Sequence, residues 1–216
     1  MTQRLQNNTY YFSVEGETEV LYFQHIQRLI RSVENRKANP VIRVERIKPS
    51  SFSKKISILK PCSIVAVYDV EDNDIEQRKR FEGILKDMKA AEGLGKSIKF
   101  ELGYSNIDFE LWILLHKVDL FGTIGNKKQY LPHINKVFGI KFDGLKEYKE
   151  EKNFLKILSA ITLDDVKHAV QRAEAIVKQR KAEGKPVKMY GYEWFEKNPS
   201  LSIHESVKRI LKGCLA

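Results

Sequence analysis

Ser63-Ile-Val-Ala-Val-Tyr-Asp-Val-Glu-Asp-Asn-Asp74 decides how this chain folds. Its first six residues run with no charged side chain, the pattern of a strand buried on both faces, and the run stops at a cluster of acids. Upstream, Thr9–Val14 is a second β-rich stretch that ends at Glu15-Gly16. Val20, Leu21, Phe23, Ile26, Leu29, Ile30 and Val33 then recur at the helical period. Val41–Ile47 predicts another strand, Ser50–Lys60 a short helix stopped by Pro61, and Ile75–Ala91 a longer helix broken at Gly93 and Gly95. Ile98–Tyr104 completes a set of four strands. Strands alternating with helices at crossover length predict an α/β fold, a largely parallel sheet flanked by helices.

Ser105-Asn-Ile-Asp108 has the form of a capping box, with Ser105 accepting from a free helix N–H. The helix expected after it, Phe109–His116, is apolar nearly all round and should be buried. Gly122, Gly125, Asn126 and Pro132 then punctuate the chain, which suggests a domain at 1–120 and a mostly helical basic region at 121–216 packed on it. Helical patterns there cover 133–138, 153–160, 163–181 and 203–211, and Thr162 with Asp165 forms another capping box. No internal repeat interrupts this order.

With 42% apolar and 31% charged residues, the 216-residue chain is neither disordered nor membrane-spanning. Two cysteines, Cys62 and Cys214, are too few for a disulfide framework or a Cys-rich zinc site, and the first residues carry no apolar signal core, so a cytoplasmic location is expected. The formal net charge is +10, and the excess is uneven: residues 117–216 hold 20 Lys and Arg against 12 Asp and Glu. Such a half favours polyanions, nucleic acid first, though a solvated lysine surface would look the same. Lys178, Arg180, Lys181, Lys185 and Lys188, interleaved with Tyr190, Tyr192 and Trp194, are the candidate nucleic-acid contacts. The rings are equally compatible with a core role.

In an open α/β sheet, sites form outside the carboxyl ends of the strands. Glu15 ends one strand there, and Asp69, Glu71, Asp72 and Asp74 end another. Carboxylates converging from two loops repel unless a cation lies between them, and hard oxygen donors select Mg²⁺ or Mn²⁺. Glu15, Asp69 and Glu71 are therefore the candidate catalytic residues, with Asp74 joining them as a metal ligand. The competing explanation is that acids after strands only complement helix N-termini, the role expected of Glu17 and Glu19. Asn106, Glu110, His116 and His204 are candidates for support around the metal; a core role competes for His116, and fastening of the last helix for His204. Glu110 inside so apolar a helix is costly unless paired. Gly93-Leu-Gly95 lacks the ending of a phosphate loop.

Four blocks carry a resemblance: Val14-Glu-Gly-Glu-Thr-Glu-Val-Leu-Tyr-Phe23, Val67-Tyr-Asp-Val-Glu71, Tyr104–His116 and Asn198-Pro-Ser-Leu-Ser-Ile-His204. In this order they resemble the RloB family, named for a gene within type I restriction–modification operons and including a phage abortive-infection protein. The resemblance runs from about residue 8 to 212 and is least distinctive over 121–190. It implies a Toprim-like fold in which a Glu after the first strand and an Asp-x-Asp after a later one hold Mg²⁺. Carried over, Glu15 would be the general acid/base or metal-proximal carboxylate and Asp69 the first ligand. Glu71 departs from the second Asp of that pattern, and its longer arm moves the ion. The family also implies an ATPase partner. The sequence thus points to a metal-dependent nuclease subunit of a phage-defence system. The alternatives are a non-catalytic module that recruits or restrains the ATPase, and a plain nucleic-acid binder; a free sheet edge would also allow a homo-oligomer.

Overall fold

The computed structural model describes residues 5–57, 60–70, 75–120 and 125–215. Strands β1 (Gln6–Val14), β2 (Ala38–Glu45), β3 (Cys62–Val70) and β4 (Ile98–Asn106) form one all-parallel sheet in the order β2-β1-β3-β4. Helices α1 (Glu17–Arg31), α2 (Pro49–Lys55) and α3 (Ile75–Glu92) are the connections. Because β2 lies on one side of β1 and β3 on the other, the topology reverses between β1 and β3. A crevice opens at such a reversal, outside the carboxyl ends of the strands.

Side-chain alternation splits the apolar content into two cores. Phe12, Val14, Val65 and Val67 face α1 and the C-terminal helices, while Ile64, Ala66, Tyr68 and Phe100 face α2 and α3. Gly103 is required at the centre of β4: a Cβ there would lie 2.9 Å from Val65 Cγ1. The first core continues without interruption into the second half of the chain, through Ile157, Ala169, Ala173 and Val207.

That half comprises α4 (Glu110–Leu115), α5 (Tyr130–Phe138), α6 (Leu145–Tyr148), α7 (Glu151–Ser159), α8 (Leu163–Glu183), a small hairpin of β5 (Val187–Met189) and β6 (Tyr192–Trp194), and α9 (Ile203–Cys214). Thr162 caps α8 as its spacing predicts, accepting from the Asp165 amide while Asp165 accepts from the Thr162 amide. Pro132 does not break the chain; it sits in the first turn of α5, where its missing N–H costs nothing. The hairpin escaped the sequence reading because its strands have three residues each. Its turn places Tyr190 and Gly191 at positive φ, and Trp194 meets Phe81 edge-on at 5.2 Å, so that ring belongs to the core.

The expected cap at Ser105 is not made. β4 runs on through Asn106, α4 starts only at Glu110, and the Ser105 hydroxyl is buried without a hydrogen bond. The strand persists because the chain at 200–202 pairs along its edge: Asn106 N donates to Ser200 O, Ser202 N donates to Tyr104 O, and Tyr104 N donates to Ser202 Oγ. The opposite edge, β2, is stopped by side chains of α1. Ile42 N donates to Gln27 Oε1 and Arg31 Nε donates to Pro40 O. No described helix is long and apolar enough to cross a membrane.

Candidate functional site

Two elements end at the crevice between β1 and β3. Glu15 follows β1 at the surface, and its Oε2 lies 3.4 Å from the backbone N of Asp69 in β3. The two acids expected to act together are therefore adjacent. Glu71 and Asp74 lie outside the described residues, as does Asp72.

Three further carboxylates close on this pair. Glu19, in the first turn of α1, is 3% exposed and accepts from the Thr18 hydroxyl. Its carboxylate passes 2.8 Å from where a Cβ of Gly16 would stand, so the glycine makes room for it. Burial, reinforced by Glu15, pushes the Glu19 carboxyl up to about 6. Asp108 and Glu110 arrive by a corner at Ile107, whose φ of 71° is strained for a β-branched residue. Ile107 N donates to Val70 O, which ties the corner to the end of β3. Asp69 is raised well above the usual carboxylate range, by burial first and then by the charges of Asp108, Glu19, Glu15 and Glu110.

Glu110 is fully buried and Asp108 is 1% exposed. Burial and the neighbouring Asp108 charge push the Glu110 carboxyl well above its ordinary value. Asp108 stays below its own against the cost of burial, because the Glu110 carboxyl, Lys149 and Lys127 sit beside it. Lys149, at the end of α6, is 3.2 Å from both Asp108 Oδ1 and Glu110 Oε1. The adjacent carboxylates in turn raise the Lys149 ammonium above its ordinary range.

Glu19, Asp108 and Lys149 are thus parts of the cluster that the sequence reading missed or gave another role. Asp108 was hidden in the apparent capping box, Glu19 in the acidic first turn of a helix. Lys149 carries no local signal at all.

The remaining candidates scatter. Asn106 is buried, and its Nδ2 donates to the carbonyls of Phe195 and Glu196, holding the chain that covers β4. His116 is a core histidine: Nδ1 lies 2.9 Å from Trp112 O and Nε2 3.1 Å from the Tyr22 hydroxyl. That geometry assigns the proton to Nδ1, and burial lowers the imidazole to about 4. His204, also lowered to about 4 by burial, faces Glu174, Lys181 and Lys208 of α8 and α9. Arg180 departs from its expected role, since it is 4% exposed and paired to Glu183 at 2.8 Å. Lys188 is tied to Glu193 across the hairpin. Lys181 and Lys185 line a different cavity, of about 590 Å³, between the hairpin, α8 and α9. Lys178 is exposed.

The donor chemistry suits a hard cation: Glu15 and Asp69 offer carboxylate oxygens, and the negative field of Glu19 and Asp108 behind them favours positive charge. Among the described residues, no group of three His, Cys, Asp or Glu converges tightly enough to hold an ion unaided.

A family model described as RloB-like protein matches residues 10–210, nearly the whole chain. No curated protein and no solved structure matches it.

Proposed function

The chain belongs to the RloB-like family, and from that premise we propose that it is a metal-dependent, Toprim-type nuclease subunit of a phage-defence system that cuts or nicks nucleic-acid phosphodiesters. The observation that carries this reading is the approach of Glu15 to Asp69 at the reversal of the sheet, backed by a buried carboxylate cluster. Glu15 and Asp69 would hold Mg²⁺ or Mn²⁺. When bound, the ion supplies charge neutralisation at the attacking or leaving oxygen of a phosphodiester.

The chain's own residues prepare that place. Glu19 and Asp108 keep the local potential negative and so favour a cation over an anion at rest. Lys149 offsets the buried charge of Asp108 before an ion arrives. Glu15, exposed at the mouth, is the group placed to orient an attacking water or accept its proton.

Calorimetric titration with Mn²⁺ tests the reading. Saturable binding that disappears in Glu15→Gln/Asp69→Asn supports it, and metal-dependent cleavage of DNA or RNA lost in the same variant completes it. No binding at millimolar Mn²⁺, with or without oligonucleotide, sinks it.

One observation favours a second reading, a non-catalytic module acting on a partner ATPase: Glu71 stands where the metal-binding pattern has its second Asp. Under that reading Glu15→Gln leaves partner binding untouched and there is no cleavage to lose.

A further inference from the structure

Glu15 and Asp69 form one wall of a cavity of about 570 Å³ whose opposite side is cationic. Arg46 and Lys48 reach it from the chain between β2 and α2, and Arg80 from the first half of α3. All three are exposed, and none makes an ion pair among the described residues. Neighbouring cations are compensated: Arg78, two residues from Arg80, is bound to Glu82 and Glu196, and Lys55 to Glu45. Arg80 donates to Gln77 Oε1 at 3.4 Å. The remaining acid in the cavity, Asp87, accepts from the Ser50 amide at 2.9 Å and makes no ion pair with the three cations.

Three uncompensated cations around one concavity attract a ligand with several negative charges, and the floor between them selects its other parts. Ile47, Phe81 and Ile84 line that floor, with Gly83 leaving open space above α3. An apolar floor under a cationic rim suits a base with phosphates on either side. The volume falls within the ~300–1,000 Å³ of ordinary ligand pockets, enough for an unpaired nucleotide. A duplex keeps its bases stacked inside and could bring only its backbone to the rim.

We propose that Arg46, Lys48 and Arg80 hold the backbone of a single nucleic-acid strand across this cavity, with one of its phosphodiesters lying against Glu15 and Asp69. The proposal rests on the reading of the acidic pair as the cutting site and supplies its substrate class. It also moves the polyanion contact from the basic C-terminal half to the N-terminal one, where the charge totals are nearly balanced. The three are positioning residues, acting on the strand and not on the reacting atoms.

Fluorescence anisotropy with a short labelled oligodeoxythymidine, in EDTA, tests this without any need for turnover. The wild type binds it more tightly than a hairpin duplex. Arg46→Ser/Lys48→Ser/Arg80→Ser, all surface changes, weakens binding about tenfold or more and reduces the slope of log affinity against log salt by about two, at ~0.7 per lost phosphate contact. Lys178→Ser/Lys181→Ser/Lys185→Ser stays within about threefold of wild type. Circular dichroism checks that both variants fold. The proposal is overturned if the wild type binds no oligonucleotide, if it prefers the duplex, or if the C-terminal variant loses binding in place of the first. Mn²⁺ calorimetry on the same proteins separates the two ideas. Metal bound normally with oligonucleotide affinity unchanged in the first variant overturns this proposal alone. Oligonucleotide affinity lost in that variant, with no metal bound by the wild type, supports this proposal and overturns the nuclease reading.

Discussion

Lys149 Nζ lies 3.2 Å from both Glu110 Oε1 and Asp108 Oδ1, so the side chain that enters from the end of α6 serves two carboxyl groups almost without exposed surface. A pair like this is defined by what happens when one member goes. Lys149→Met leaves Asp108 buried and short of a cation, and should cost about 2 kcal/mol, below the ~3–5 of a fully buried pair because Lys149 keeps 39% of its side chain exposed. Glu110→Gln should cost less than ~1 kcal/mol, since burial and Asp108 already disfavour a charge on Glu110 and an amide keeps its shape without one. Urea denaturation of the two variants checks the order. Equal losses would show that Glu110 is ionised in the folded protein.

Acid should weaken the fold through its histidines. Burial lowers His116 and His204 to about 4, whereas the unfolded chain takes up protons at these rings from about pH 6.5 downward. Between those values the unfolded state binds more protons, so stability falls as pH drops through that window and is indifferent to these rings above pH 7. Each accounts for up to about 3 kcal/mol by pH 4. The Nδ1 of His204 has no hydrogen-bond partner, so His204→Gln is the gentler probe. The loss of stability from pH 7 to pH 5, measured in urea, should be smaller in that variant than in the wild type.

Two glycines predict opposite outcomes. Gly103→Ala drives a methyl into Val65 within the sheet and should cost about 1–3 kcal/mol. Gly16→Ala meets only the end of the flexible Glu19 side chain, so the fold should survive with a melting temperature near wild type. The displaced Glu19 carboxylate should instead change Mn²⁺ affinity. Thermal melts and calorimetry on both variants read the contrast.

Asn106→Ala removes both donors to the carbonyls of Phe195 and Glu196 and should cost about 2–3 kcal/mol. Local loosening should precede global unfolding, with amide exchange rising first around 195–202. Protection unchanged there would assign the covering segment's hold to the bonds at Ser200 and Ser202.

The sheet was legible because its central strand is apolar on both faces, and the helices between strands because their periodicity is strong. Ser63–Tyr68 with its acidic end also located the crevice, and Glu15 followed from the same rule about strand ends. Ser105 misled because a residue pattern with Ser three places before an acid is common to helix caps and to strands that end in a tight corner. The φ of Ile107, which decides between them, leaves no mark on a β-branched residue's identity. Lys149 stayed hidden for a different reason: its meaning comes from a contact across 39 residues of chain to Glu110, and a surface lysine reads the same alone. The basic C-terminal half drew attention by sheer count, yet Arg180 and Lys188 are spent on Glu183 and Glu193.

Both borders of the four-stranded sheet are partly covered, one by Gln27 and Arg31 reaching over β2 and the other by the chain at 200–202 lying along the end of β4. An uncovered parallel sheet is a template on which further copies can stack into fibres. The side chains of Gln27 and Arg31 take up backbone groups of β2 that a strand of another copy would need for pairing.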